Sequence, residues 1–187
     1  ASLVDDGTLT IDGTSNIQRY LETNSTDNNW RYVSTPVSGE TSDALNTGTE
    51  RYLFEYSEPQ HKWVEVREDS LINLVVGKGY AVGQGIARTA EFTGTLNNGT
   101  ISIGSLSLNT GHEKSGFNLV GNPYPSALDL GDASSHPGVS IWNNLDSTVW
   151  YRTDATFATY NWKNGTGQNG ATSEVPAMQS FWIRVND

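Results

Sequence analysis

Flat aromatic side chains set among amides, carboxylates and a guanidinium are the groups of this chain best suited to chemistry, and the chemistry they suit is sugar recognition. Six Trp and eight Tyr occur in 187 residues, and four of the tryptophans come late, at Trp142, Trp150, Trp162 and Trp182. A ring face stacks on the apolar face of a sugar while Asn, Asp, Gln or Arg nearby fixes its hydroxyls, the logic of an apolar pocket with a few placed polar groups. The stretch "IWNNLDSTVWYRTDATFATYNWKNGTGQNG", residues 141–170, holds both ingredients. In a strand through Val149, Trp150, Tyr151 and Arg152, the two rings point to opposite faces, so one is expected toward solvent unless covered. By the same alternation Tyr160 and Trp162 oppose Asn161. Trp142, Trp150, Tyr151, Arg152 and Tyr160 are the predicted carbohydrate platform, with burial in a core as the competing fate of each ring.

Other chemistries find less support. His61, His112 and His136 lack metal-ligand spacing, and neither a Gly-x-Ser-x-Gly elbow nor a phosphate-cradling loop occurs. "GKGYAVGQG" is glycine-rich but lacks the Lys-Ser/Thr end of a P-loop, and reads as a strand with bulges. Glu55, Glu58, Glu65, Glu68 and Asp69 could supply a glycosidase pair, yet they read as surface charges on hairpins, so no catalysis is expected. "NSTDNN" (24–29) and "DLGDASSH" (129–136) place hard oxygen donors in loops without EF-hand spacing; a structural calcium is possible there, and no other cofactor is expected. Cysteine is absent, which excludes disulfides and thiolate sites. A net charge of -10 argues against nucleic acid and against an anionic membrane surface as partners. No apolar run approaches the ~20 residues of a membrane helix, so insertion is not expected.

The elements that must position these residues read as strands. Charged residues make up 17% of the chain, and Gly, Ser, Thr and Asn replace them, which favours strands and turns over long helices. "GTLTIDG" and "TISIGSLSL" alternate with period two, Asn97-Asn98-Gly99 signals a hairpin between alternating runs, and Gly104 suggests a bulge. No stretch carries helical spacing over three turns. "WRYVSTPVS" from Trp30 resembles "FNLVGNPYPS" from Phe117, and each is followed by an aromatic pair of strands and a closing strand. Trp30 corresponds to Phe117, Tyr80 to Phe181 and Trp63 to Trp162, the last pair being read as core. The expectation is an all-β, jelly-roll-like β-sandwich: one domain over 1–187, built from two similar half-units at 13–90 and 99–187. In the alternative, "GTLTIDG" is the last rung of a parallel β-solenoid preceding the sandwich. A beginning at "ASLVDDGTLT" suggests a piece of a larger parent chain, attached to other domains.

Four motifs carry a family resemblance: Trp30 to Val37, "GKGY" at 77–80, "GFNLVGNPYPS" at 116–126, and the Pro-x-x-Gln-x-Phe-Trp strand from Pro176 to Trp182. Here the chain resembles the β-rich modules of large secreted or surface proteins of Bacteroidota, many of them exported by the type IX secretion system. That resemblance implies an extracellular or cell-surface setting. It implies no chemistry, because such modules accompany adhesins and polysaccharide-degrading enzymes alike, and no catalytic residues carry over. The functional expectation is a non-catalytic module binding a plant or algal polysaccharide, with a structural spacer or adhesin module lacking a small ligand as the alternative.

Overall fold

Period-two patterning becomes strands wherever one face can be buried. The computed structural model describes residues 10, 12–22, 30–45, 52–66, 71–83, 87–104, 106–131, 144–153 and 156–186. The first half contributes β1 (Ser15–Leu21), β2 (Trp30–Val33), β3 (Val37–Ser38), β4 (Tyr52–Ser57), β5 (Lys62–Glu65), β6 (Tyr80–Gly83) and β7 (Arg88–Leu96). The second contributes β8 (Phe117–Gly121), β9 (Leu128–Asp129), β10 (Thr148–Arg152), β11 (Phe157–Asn161), β12 (Thr166–Gln168), β13 (Glu174–Val175) and β14 (Ser180–Arg184). A single 3-10 turn, Ser42–Leu45, is the only helical element among the described residues. Every strand pairing is antiparallel.

The fold is an all-β sandwich. The sheet β1-β7-β3 covers one face of the sheet β2-β6-β4-β5. Between them lies a core of Leu21, Val33, Val37, Leu53, Tyr80, Val82 and Phe92, among others. The five-stranded sheet β12-β11-β10-β14-β8 buries Val149, Tyr151, Tyr160, Phe181 and Ile183 with Leu130 and Val175, under the β13-β9 pair.

The two larger sheets share one chain order: the first strand lies beside the last, and the middle strands follow. They are stitched where β2 and β8 end. Val33 bridges Gln179 and Val120 bridges Lys78. The Ser34 N–H donates to the Met178 carbonyl at 3.0 Å, and the Gly121 N–H donates to the Gly77 carbonyl at 2.9 Å. Gly77 and Met178, the two acceptors, both have positive φ, 80° and 59°. Backbones this close need small residues. A Cβ on Gly121 would stand 2.1 Å from Cβ of Ser34, and one on Gly79 would stand 2.5 Å from Cγ of Leu119.

This crossing explains the Gly-Asn-Pro-Tyr-Pro turn. Gly121 is required by close approach, and Asn122 is fully buried behind it. Its amide nitrogen donates to the carbonyls of Ser126 and Val175 at 2.8 and 3.1 Å, and its Oδ1 accepts the Tyr124 N–H at 2.9 Å. Thr35, just after Ser34 and also buried, closes the matching turn by accepting the Val37 N–H at 3.3 Å. The motif is a corner used twice.

Residues 100–104 and 106–108 depart from expectation: they form no strand, and Asn97-Asn98-Gly99 is not a hairpin turn. β7 is already paired, with β1 from Arg88 to Gly94 and with β3 at Thr95 and Leu96. Asn97 is drawn into the corner, donating from its amide to the Pro123 carbonyl at 2.9 Å. The segment that follows satisfies its backbone with side chains instead of a ladder: Asn118 both accepts from the Ser107 N–H and donates to the Ser107 carbonyl. Most of "GTLTIDG", which carried the solenoid alternative, lies outside the described residues.

Candidate functional site

Strands that bury one face must show the other, and here the faces shown are aromatic. In the four-stranded sheet Val33, Leu53 and Val82 point to the core, so Tyr32, Phe54 and Ala81 point away from it. In the five-stranded sheet Val149 and Tyr151 point inward, so Trp150 and Arg152 point outward. Cross-strand register completes the surface by placing Trp63 opposite Tyr56, Trp182 opposite Trp150, and Phe157 opposite Arg152.

The two outer faces meet along a seam centred on Trp182. Its ring lies 4.8 Å from Tyr56, 5.6 Å from Trp63, 6.1 Å from Tyr32 and 6.4 Å from Phe117, all edge-to-face. Two adjoining cavities open on this seam and share Tyr32 and Trp63. One, of about 310 Å³, is lined by Trp30, Tyr32, Phe54, Trp63, Ala81 and Arg152. The other, of about 410 Å³, is lined by Tyr32, Tyr56, Trp63, Lys114, Phe117, Trp150, Phe157 and Trp182. The registers make them counterparts: Trp30 answers to Phe117, Phe54 to Trp150, Ala81 to Trp182, and Trp63 to Phe157.

Among the described residues the charged side chains of the groove are cationic. Arg152 holds its guanidinium carbon 5.8 Å from the Tyr32 ring centre, and Arg184 sits 5.2 Å from that of Phe117 beyond the second cavity. Burial raises the pKa of the Tyr32 phenol, an effect only partly offset by the Arg152 charge and by hydrogen bonds from Trp182 and Arg152. Burial, and then the charge of Glu58, raises the Tyr56 phenol likewise. Both hydroxyls therefore stay protonated at neutral pH.

Of the five predicted platform residues, the structure brings Trp150 and Arg152 into the groove. Tyr151 and Tyr160 are corrected to core residues, 6% and 5% exposed. Tyr151 alternates with Trp150 along β10, and Tyr160 faces the same way because it pairs with Val149. Their hydroxyls are tied internally, Tyr160 donating to the Gly131 carbonyl at 2.8 Å and Tyr151 to the Thr172 carbonyl at 3.3 Å. Trp142 lies outside the described residues. Trp63 is also corrected: it is 37% exposed on the groove, and its counterpart is Phe157, not Trp162. Trp162 packs half-buried against the second core, its indole donating to the Asp146 carbonyl at 3.1 Å.

Sequence reasoning missed most of the first-half wall. The available signal was aromatic spacing at i, i+2: Trp30 with Tyr32, and Tyr52 with Phe54 and Tyr56. Rings at every second position of a strand mark an aromatic face.

The carboxylates read differently in three dimensions. Glu58 is buried, 2% exposed, and its Oε1 accepts the N–H groups of Asn109 and Gly116, both at 2.8 Å. Burial alone would raise its pKa; these backbone donors, the Ser107 hydroxyl and nearby His61 outweigh it and hold the carboxyl below its usual range. Glu58 thus anchors the 107–116 segment instead of decorating a hairpin. Glu55 pairs with Lys78, while Glu68 and Asp69 lie outside the described residues. Of the calcium loops, 24–29 is also outside, and in 129–131 the Asp129 carboxylate accepts the Gly131 N–H at 2.9 Å. His61 and His112 stack at 4.2 Å. Among the described residues no group of three His, Asp or Glu side chains converges as a metal site.

Residues 1–187 match the model of a family described as "Domain of unknown function (DUF8693)". No curated protein and no solved structure matches the chain.

Proposed function

The chain belongs to the family of domains of unknown function DUF8693, and we propose that it is a non-catalytic, extracellular module that holds a polysaccharide in its aromatic groove. One observation carries this reading: two adjoining cavities walled by tryptophan, tyrosine and phenylalanine rings on the outer faces of two sheets. Apolar surface left in water forgoes roughly 25 cal/mol per Å², so a concentrated patch of half-exposed rings favours an occupant. Sugar rings suit such walls because they stack on aromatic faces and keep their hydroxyls at the rim, where Tyr32, Tyr56 and Arg152 offer donors. The same reading makes the module a plant- or algal-glycan binder within a larger surface or secreted chain.

Affinity electrophoresis and calorimetry against a panel of soluble plant and algal polysaccharides test it. Binding should appear for at least one, and Trp63→Ala and Trp150→Ala should each weaken it about tenfold or more, the effect of removing one well-packed aromatic contact. No binding anywhere in the panel would sink the proposal.

A second reading has its own observation. The edge-to-face contacts of Trp182 with rings of both sheets would equally brace a rigid spacer or adhesin module. In that case Trp182→Ala costs about 3–5 kcal/mol of stability, and no variant of the groove changes any glycan interaction.

A further inference from the structure

We propose that the groove is built for an anionic glycan, one bearing carboxylate or sulfate groups, with Arg152 and Lys114 as the seats for two of its charges. The inference rests on the polysaccharide reading and names its ligand class. The chain has 21 Asp and Glu against 11 Lys and Arg. Yet among the described residues no carboxylate lines either cavity, and each cavity is lined by one cation, Arg152 in the first and Lys114 in the second. Glu58, a buried carboxylate whose charge acts on Tyr56, is committed to the Asn109 and Gly116 amides.

Geometry supports a charge beside a stacked ring. Arg152 leaves β10 on the same face as Trp150, two residues along, hence about 6–7 Å away. It projects over Tyr32 and stands opposite Phe157. A sugar ring on the aromatic wall therefore presents its edge substituent to a planar guanidinium, which matches carboxylate or sulfate oxygens two at a time. Lys114, exposed on the turn before Phe117, repeats the arrangement as a point charge at the counterpart cavity. Two matched cavities with one cation each fit a polymer that carries charge repeatedly along its length. The overall charge of -10 opposes any long-range attraction of such a polymer, so selectivity must come from these contacts at short range.

Matched pairs of polymers test the assignment: polygalacturonate against its fully methyl-esterified form, and a sulfated galactan against the same chain desulfated. Calorimetry at two salt concentrations should show a charged member binding about tenfold or more tighter than its neutral partner, as one or two charge-assisted contacts predict. Arg152→Gln and Lys114→Gln should each shrink that preference, and Lys114→Gln, on an exposed turn, does so without altering the melting temperature. Preference for the carboxylated pair identifies a uronate, and preference for the sulfated pair a sulfate ester. Equal or tighter binding of the neutral members overturns this inference while leaving the polysaccharide reading standing. Absence of binding to all four overturns this inference, and the polysaccharide reading falls with it only when the rest of the panel also fails to bind.

Discussion

Glu58 shows how far one residue's surroundings can change its meaning. On the sequence it is one acid among several in a polar turn; in the fold it is a buried acceptor for two backbone N–H groups. Its folded pKa is depressed, so the stability it contributes is fully present above the unfolded value near 4.5 and is lost as pH falls through the folded value. Urea midpoints measured from pH 7 downward should therefore fall below pH 4.5. Glu58→Gln should cost about 2 kcal/mol at pH 7, the worth of a charge-assisted hydrogen bond, and should flatten the acid limb. A variant that keeps the full acid slope assigns that slope to other groups. Asn122 makes the same point for an amide. It serves three carbonyls and one N–H at the corner, and Asn122→Ala, which strands them, should lower stability by about 3 kcal/mol, read by denaturant unfolding.

At the scale of the element, alternation decides which ring can meet a ligand. β10 shows Trp150 and Arg152 and hides Val149 and Tyr151. The sequence already required Trp150 and Tyr151 to part company, but not which of them would face out. Tyr160 follows from its neighbour, since pairing with Val149 commits it to the buried side. Tyr160→Phe removes one hydrogen bond of 2.8 Å. It should cost about 1 kcal/mol and leave glycan affinity unchanged in calorimetry; a loss of affinity would return Tyr160 to the site. Residues 100–108 show where local pattern misleads. Their alternation is as regular as that of β7, yet Asn118 and Glu58 take up backbone groups at Ser107 and Asn109 that a ladder would have used. A strand needs a partner as well as a pattern.

For the whole molecule, the decisive place is the crossing of Ser34, Gly79, Gly121 and Ser180, where the two larger sheets are stitched together. Gly121→Ala should destabilise by about 1–3 kcal/mol or more through overpacking against Ser34. Gly104→Ala, which meets nothing within 4 Å, should stay within about 0.5 kcal/mol of the parent. Comparable losses at both sites would mean that the crossing is not tightly packed. The sequence by itself determined the all-β class, through period-two runs with few charges and no helical spacing. It also marked the Gly-Asn-Pro corner, because glycine and proline impose backbone conformation locally. Half of the groove was within its reach for the same local reason, in the i, i+2 rings. Only the tertiary structure decided that the outer faces of two sheets, from segments far apart in the chain, would close on one another around Trp182. Alternation gives every strand two faces. Which of them is covered depends on a partner sheet that no local pattern names.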